Sequence, residues 1–492
     1  YDPAPVSVRE LLPYGAVIGA GGVALLLVVR PPALRLAGLV LLAIGLVPLV
    51  LHEQPSIGDR LQAHPILIPA AAVGLVVGLV VGGAIALRWP WLVVAGCVIA
   101  GLRLPLRDPP APSDHLLPLY ALLACGLAAH AYEIVRRRAR PPALGLLGPA
   151  LAAWVLLASA SLFWTSNLDK GAFSVIDVAL PFGALTALIG SFGLARVLPV
   201  RLARLQLVLG LLFSLVACYQ WQAHHIFSNR KLEVDNAYAS FYRVNSLFFD
   251  PSMFGRFQSL AILTVVGALL LSGRPPRPAL AVPAAIGVFV GLALSYSQSS
   301  LLALDVGLVV LAAVVWRGRA VLGFAALAAV VLLASLAVPA TRHKITHASL
   351  SNITSNRTSI LSKGVDAFRR HPLAGSGLGS FAHSAGTTPQ ERARIAPHNV
   401  VLQEAVELGV LGLIALAGII VALLQMLLRP ADEARGRTLR LVLAAELTAI
   451  AVSSLFYAAL FEDPIFWVAA ALVALSAAPA RQASAIATPA SG

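Results

Sequence analysis

The sequence predicts an all-α, polytopic integral membrane protein with about 12–15 transmembrane helices. Three observations predict the membrane fold. Of 492 residues, 59% are hydrophobic and 12% charged, with a mean hydropathy of +0.85. A soluble domain of this length cannot hide so much apolar surface. The apolar residues also run unbroken for stretches near the ~20 that a helix needs to cross a bilayer, whereas barrel strands would alternate polar and apolar positions. Finally, arginines gather in short gaps between the runs.

The elements follow in chain order. Apolar runs occupy 14–29, 33–51, 65–87 and 89–101 in an N-terminal block, residues 1–115, whose place in the core the sequence leaves open. The first run follows Arg9-Glu10 and leads into Arg30-Pro31-Pro32, so it reads as a span rather than a cleaved signal. Only Arg88-Trp89-Pro90 interrupts 65–101. A transmembrane core follows at 116–338, with runs at 116–135, 141–163, 174–195, 203–221, 252–272, 279–295, 300–316 and 320–338 and an outer loop at 222–250. A long loop spans 339–397. C-terminal helices fill 398–479, with runs at 400–428, 441–461 and 465–479, and the Ala/Ser/Pro-rich tail 480–492 is expected to be disordered. Cys97, Cys125 and Cys218 all lie inside apolar runs and read as small buried hydrophobes.

Net charge is +14. In a soluble chain that excess would point to nucleic acid. Here it is topological, and no aromatic-basic RNA-binding module accompanies it. The basic gaps at 136–140, 196–204, 274–277, 317–319 and 429–440 alternate with gaps that are not basic, 164–173, 296–299 and 462–464. The basic set is then cytoplasmic. That register puts 222–250 and 339–397 on the other face, the periplasm or exterior in a bacterium. The expected partner is a lipid bilayer and not nucleic acid.

Chemistry-bearing residues gather in those two outer loops. Arg243 sits in an aromatic stretch, where a partly desolvated guanidinium needs an anion. Asp250-Pro251 reads as a helix start, with Asp250 the cap. Arg357 heads a segment with Ile360, Leu361, Val365 and Phe368 on one helical face, an amphipathic helix expected on the membrane surface. Arg at a helix start opposes the dipole, which a bound anion would offset. Gly375-Ser376-Gly377-Leu378-Gly379 is a tight turn and lacks the spacing of a dinucleotide fingerprint. His398 precedes the next span. Near a helix N-terminus its ring is disfavoured as imidazolium and can accept a proton. Asn399 can cap that span. Glu404 and Glu407, one to two turns inside, either orient local donors or pair with an Arg.

Other groups are weaker candidates. His343 and His347 have zinc-helix spacing without a catalytic Glu or a third ligand, and the adjacent His224 and His225 diverge. Asn352 and Asn356 match the glycosylation pattern. Ser295, Ser297, Ser299 and Ser300 read as a polar lining. Asp305 and Glu446 are mid-span charges that keep a lipid-glycan transporter in view.

"RVNSLFFDPSMFG" (243–255), "NRTSILSKGVDAFRRHPLAGSGLGSF" (356–381) and "PHNVVLQEAVELGVLG" (397–412) together resemble the signature of the bacterial O-antigen ligase and polymerase superfamily. The resemblance implies a C-type glycosyltransferase that takes a glycan from undecaprenyl diphosphate on the periplasmic side, without metal or other cofactor. It implies that Arg243 and Arg357 bind the diphosphate and that His398 is the catalytic base, with inversion at the anomeric carbon. The acceptor would be a glycan or glycolipid hydroxyl. Ligase and polymerase activities both remain open.

Overall fold

The structure is a computed structural model that describes residues 7–55, 67–102, 116–191, 198–227, 229–238, 241–273, 275–316, 318, 322–323, 357–429 and 434–477. Most of the span expected at 320–338, His343, His347, Asn352, Asn356 and the tail 480–492 lie outside the described residues. Those described form helices and loops, with no strand among them. Among the described residues, eight helices are long and apolar enough to cross a membrane, a bent pair would make a ninth, and three shorter apolar helices accompany them.

Two glycine-lined helices open the bundle. α1 (Val8–Val28) turns at Pro31 into α2 (Pro32–Glu53). A Cβ on Gly22 would lie 2.5 Å from the Gly38 carbonyl oxygen, and one on Gly45 2.2 Å from the Gly19 nitrogen. Membrane helices gain little from burying apolar surface against each other, so close backbone approach through small residues supplies the packing. α3 (Leu67–Arg88) breaks at Trp89-Pro90 and α4 (Pro90–Gly101) leaves at 111°. Proline at the first helical position lacks the amide needed to continue the helix before it.

α5 (Leu116–Val135) and α6 (Leu147–Ala160) lead to α7 (Leu168–Ser191). Every residue from Leu180 to Ser191 is buried, as expected of a helix apolar all round and enclosed by others. α1 packs against both α6 and α7, and α18 (Pro464–Ala477) packs against α7. The rest of the core is α8 (Leu198–Ala223), α10 (Pro251–Leu271), α11 (Pro278–Leu294), α12 (Gln298–Trp316) and α17 (Ala434–Ser454), with α10 packed against the other four. The short α9 (Arg230–Tyr238) lies between α8 and α10 in sequence.

Loops expected to share a face meet at one end of the bundle. The Thr165 hydroxyl donates to the Leu378 carbonyl at 2.8 Å, Arg243 Nε to the Ser295 carbonyl at 3.2 Å, and Asn399 Nδ2 to the Leu455 carbonyl at 3.3 Å. Basic gaps meet at the other end, where the Thr438 hydroxyl donates to the Leu271 carbonyl at 2.8 Å and Arg440 Nη1 to the Arg429 carbonyl at 2.6 Å.

The outer segment carries α13 (Arg357–Arg370), α14 (Phe381–Ala385) and α15 (Pro389–Arg394) and ends at the long α16 (Val400–Leu428). The apolar face expected to rest on lipid instead packs on protein. Ile360, Ala367 and Phe368 of α13 join Phe381, Ala385, Leu402 and Val406, and Leu361 stays exposed.

α16 is broken at Gly409, with φ 67° and ψ −155°. In an unbroken helix the Val410 amide would bond the Val406 carbonyl, and Leu411 that of Glu407. Instead Val406 accepts from Ser376 N–H at 2.9 Å and Glu407 from Gly377 N–H at 2.8 Å. The freed Val410 and Leu411 amides donate to the carbonyls of Pro372 and Leu373 at 2.8 and 3.2 Å. The glycine turn is thus a splint that completes the hydrogen bonding of a broken membrane helix, where an unpaired group would be costly. Glycine is required there: at Gly375 (φ +66°) a Cβ would lie 2.4 Å from the Glu407 carbonyl carbon, and at Gly377 2.3 Å from Thr165 Cα.

Gly375→Ala is therefore expected to destabilise the protein by more than the about 1–2 kcal/mol of left-handed strain alone. Gly78→Ala, on the exposed side of α3 with nothing within 4 Å of the added carbon, should be neutral. Thermal unfolding of both variants in detergent checks this. Equal midpoints for the two would contradict the splint.

Candidate active site

The outer end is built from local rules and a few long-range polar contacts. Asp250 caps α10, its Oδ1 accepting from the Ser252 amide at 2.6 Å, with Pro251 at the first helical position. Just upstream, Asn236 of α9 grips the Arg243 backbone. Asn236 Oδ1 accepts from Arg243 N–H at 3.0 Å and Asn236 Nδ2 donates to the Arg243 carbonyl at 2.8 Å. With Nε held on Ser295, the half-buried Arg243 has a fixed backbone and a fixed guanidinium edge. Its Nη atoms make no hydrogen bond or ion pair among the described residues. Arg357 heads α13 as expected, but its side chain lies outside the described residues.

His398 is half-buried and stands one residue before the cap of α16. Asn399 Oδ1 accepts from the amides of Val401 and Leu402 at 2.9 and 3.1 Å. Its Nδ2 bond to Leu455 ties this helix start to the 455–463 loop. Both glutamates below are buried. Glu404 Oε2 accepts from Trp154 Nε1 at 3.1 Å, and Glu407 Oε1 accepts from Phe381 N–H at 3.2 Å. Neither forms an ion pair among the described residues. Trp154 in turn stacks on Phe461 at 3.9 Å, which joins α6, α16 and the 455–463 loop.

That loop holds a charge the sequence reading did not weigh. Arg256 is buried on α10, between one and two turns below the Asp250 cap. Its Nη1 and Nη2 donate to the carbonyls of Ala459 and Tyr457 at 2.9 and 3.1 Å, and Nη1 lies 3.5 Å from Asp463 Oδ2. Burial pushes the Asp463 carboxyl up, and the nearby guanidinium draws it back down. An Arg inside an apolar run was the available signal; its partner sits in a distant loop. On the other flank, Lys363 of α13 bonds Glu391 of α15 at 2.9 Å. The Thr387 hydroxyl and that ammonium hold the Glu391 carboxyl down at about 2.

Of the weaker candidates, His224 and His225 each pack on an aromatic ring, Tyr242 and Phe227. Ser295, Ser297 and Ser300 are buried in a hydroxyl cluster that touches α10. Glu446 is buried and bonded to the Thr264 hydroxyl, which Gln206 also contacts at 3.0 Å. Asp305 lies on an exposed side of α12.

Residues 283–417 match the family model described as O-antigen ligase. This segment, little more than a quarter of the chain, is similar to that family. The matched segment runs from α11 into α16, so it contains the glycine splint, Arg357, His398, Asn399, Glu404 and Glu407. Arg243, Asp250 and Arg256 precede it. No curated protein matches the chain.

Removing one member of the buried Arg256–Asp463 pair should cost about 3–5 kcal/mol, because the other charge is left uncompensated. Arg256→Ala is expected to show that loss in unfolding experiments, and the double variant Arg256→Met with Asp463→Leu a smaller one. A single variant as stable as the parent would contradict a buried ion pair.

Proposed function

We propose that the protein transfers a glycan from undecaprenyl diphosphate to an acceptor hydroxyl at the outer face of the bacterial plasma membrane. The family match makes a ligase-like membrane glycosyltransferase the natural class. One observation carries the finer reading: His398 precedes a capped membrane-helix N-terminus, at the bundle end that also holds Arg243, whose outer guanidinium nitrogens have no partner among the described residues.

In this mechanism Arg243 and Arg357 grip the diphosphate. A guanidinium fork matches phosphate oxygens two at a time and keeps its charge. His398 takes the proton of the acceptor hydroxyl. The resulting oxygen attacks the anomeric carbon from the face opposite the diphosphate and forms the new glycosidic bond with inversion. The bond from that carbon to the diphosphate oxygen breaks, and undecaprenyl diphosphate leaves with the electron pair. The arginines stabilise the charge gathering on it. Asn399 fixes the direction of the helix start that carries His398. No metal is assigned a role.

Glu446 fits this reading better than a transport path. It is buried between α10 and α17 with a hydroxyl partner, which gives it a structural account.

The test is turnover of a lipid-linked glycan by purified protein with a lipid A-like acceptor. His398→Ala should lower the rate by about 10²–10⁴ while the unfolding midpoint stays unchanged, and full turnover would remove His398 as the base. Arg243→Lys should also be severely impaired, because an ammonium lacks the fork; parental rates would reduce Arg243 to a loop charge. Chelator should leave turnover intact. A single adduct identifies a ligase and a product ladder a polymerase.

A further inference from the structure

Two exposed rings lie beside Arg243 and take no part in the mechanism above. Phe241 and Tyr296 stack with centroids 4.7 Å apart and planes 27° from parallel. They are 45% and 44% exposed, while Phe213, Phe248, Phe254 and Phe257 are buried in the core just below. Tyr296 holds its place with φ at +49°, a left-handed backbone that a bulky residue rarely adopts. The turn keeps this strained conformation and leaves a large ring uncovered.

The position of the pair is set by Arg243. Phe241 is two residues upstream of it. Tyr296 directly follows Ser295, whose carbonyl receives Arg243 Nε–H at 3.2 Å. An anion on the guanidinium edge that has no partner among the described residues would therefore carry its nearest substituent into the neighbourhood of the rings. Gln298, also exposed, follows in the same turn and offers an amide. Aromatic faces beside polar donors suit a sugar, which presents C–H groups on its faces and hydroxyls at its rim. An isoprenoid chain has no use for the polar groups. Other exposed aromatics at this end, such as Tyr219 and Trp221 on α8, sit on a helix side, where an interfacial belt accounts for them.

We propose that Phe241 and Tyr296 form the stacking platform for the pyranose ring bonded to the donor diphosphate. This rests on the reading of Arg243 as a diphosphate ligand and adds a subsite for the sugar.

The experiment measures binding of two ligands to the full chain in nanodiscs, undecaprenyl diphosphate carrying a glycan and undecaprenyl diphosphate alone. Phe241→Ala and Tyr296→Asn, the latter chosen because Asn tolerates a left-handed backbone, should weaken the glycan-bearing ligand about tenfold. The sugar-free ligand should bind as it does to the parent, and Tyr296→Trp should restore glycan binding. Equal losses for both ligands would show that the rings grip lipid or diphosphate, and no loss for either would leave them an interfacial belt; each result overturns the platform. Arg243→Lys should weaken both ligands. A parent protein that binds neither would overturn the diphosphate reading and the platform together, whereas unchanged variants of a binding-competent parent would overturn the platform alone.

Discussion

The outer half of the molecule depends on four backbone hydrogen bonds between residues 372–377 and the break in α16. A membrane-spanning helix cannot leave carbonyls and amides unpaired in a medium without water. α16 interrupts its own ladder at Gly409 and recovers it from another segment. The next residue, Leu378, bonds Thr165 and Ser161 in the link between α6 and α7. One short glycine turn thereby fastens α13, α14 and α15 to the bundle and fixes the direction in which α16 leaves. Since His398 and Asn399 stand at the head of that helix, the placement of the proposed base follows from the splint.

Charge is handled by the same rule. Three buried ionisable groups near the outer end have partners that lower the cost of burial: Trp154 for Glu404, a backbone amide for Glu407, Asp463 and two carbonyls for Arg256. Such pairs do not by themselves add much stability. They fix relative positions, because losing either member leaves a polar group stranded. Arg256 and Asp463 pin the 455–463 loop to α10, and Asn399 is bonded to the first residue of that loop. Arg243 differs. Its backbone and one guanidinium edge are clamped, while the other edge is left for a ligand in the proposed mechanism.

Much of this was legible in the sequence where the controlling physics is local. The spans follow from apolar run length. The caps at Asp250 and Asn399 follow from residue type just before an apolar run, and Arg357 does head a helix. What escaped depends on partners far along the chain. Gly409 reads as one more small residue in an apolar run until residues 372–377 are seen against it. Trp154 and Glu404 are 250 residues apart. The apolar face of α13 is genuine, but periodicity cannot say whether lipid or protein covers it. Arg256 is visible as an intramembrane charge, but its partner Asp463 lies 207 residues on.

The central claim is that one outward-facing site joins the two arginines to His398 around a lipid diphosphate. The most direct measurement is an experimental structure of the protein in a lipid nanodisc with undecaprenyl diphosphate bound. The account predicts the diphosphate within hydrogen-bond reach of both Arg243 and Arg357, with His398 facing the side where the anomeric carbon would lie. Diphosphate bound elsewhere, or His398 turned toward the opposite leaflet, would contradict it.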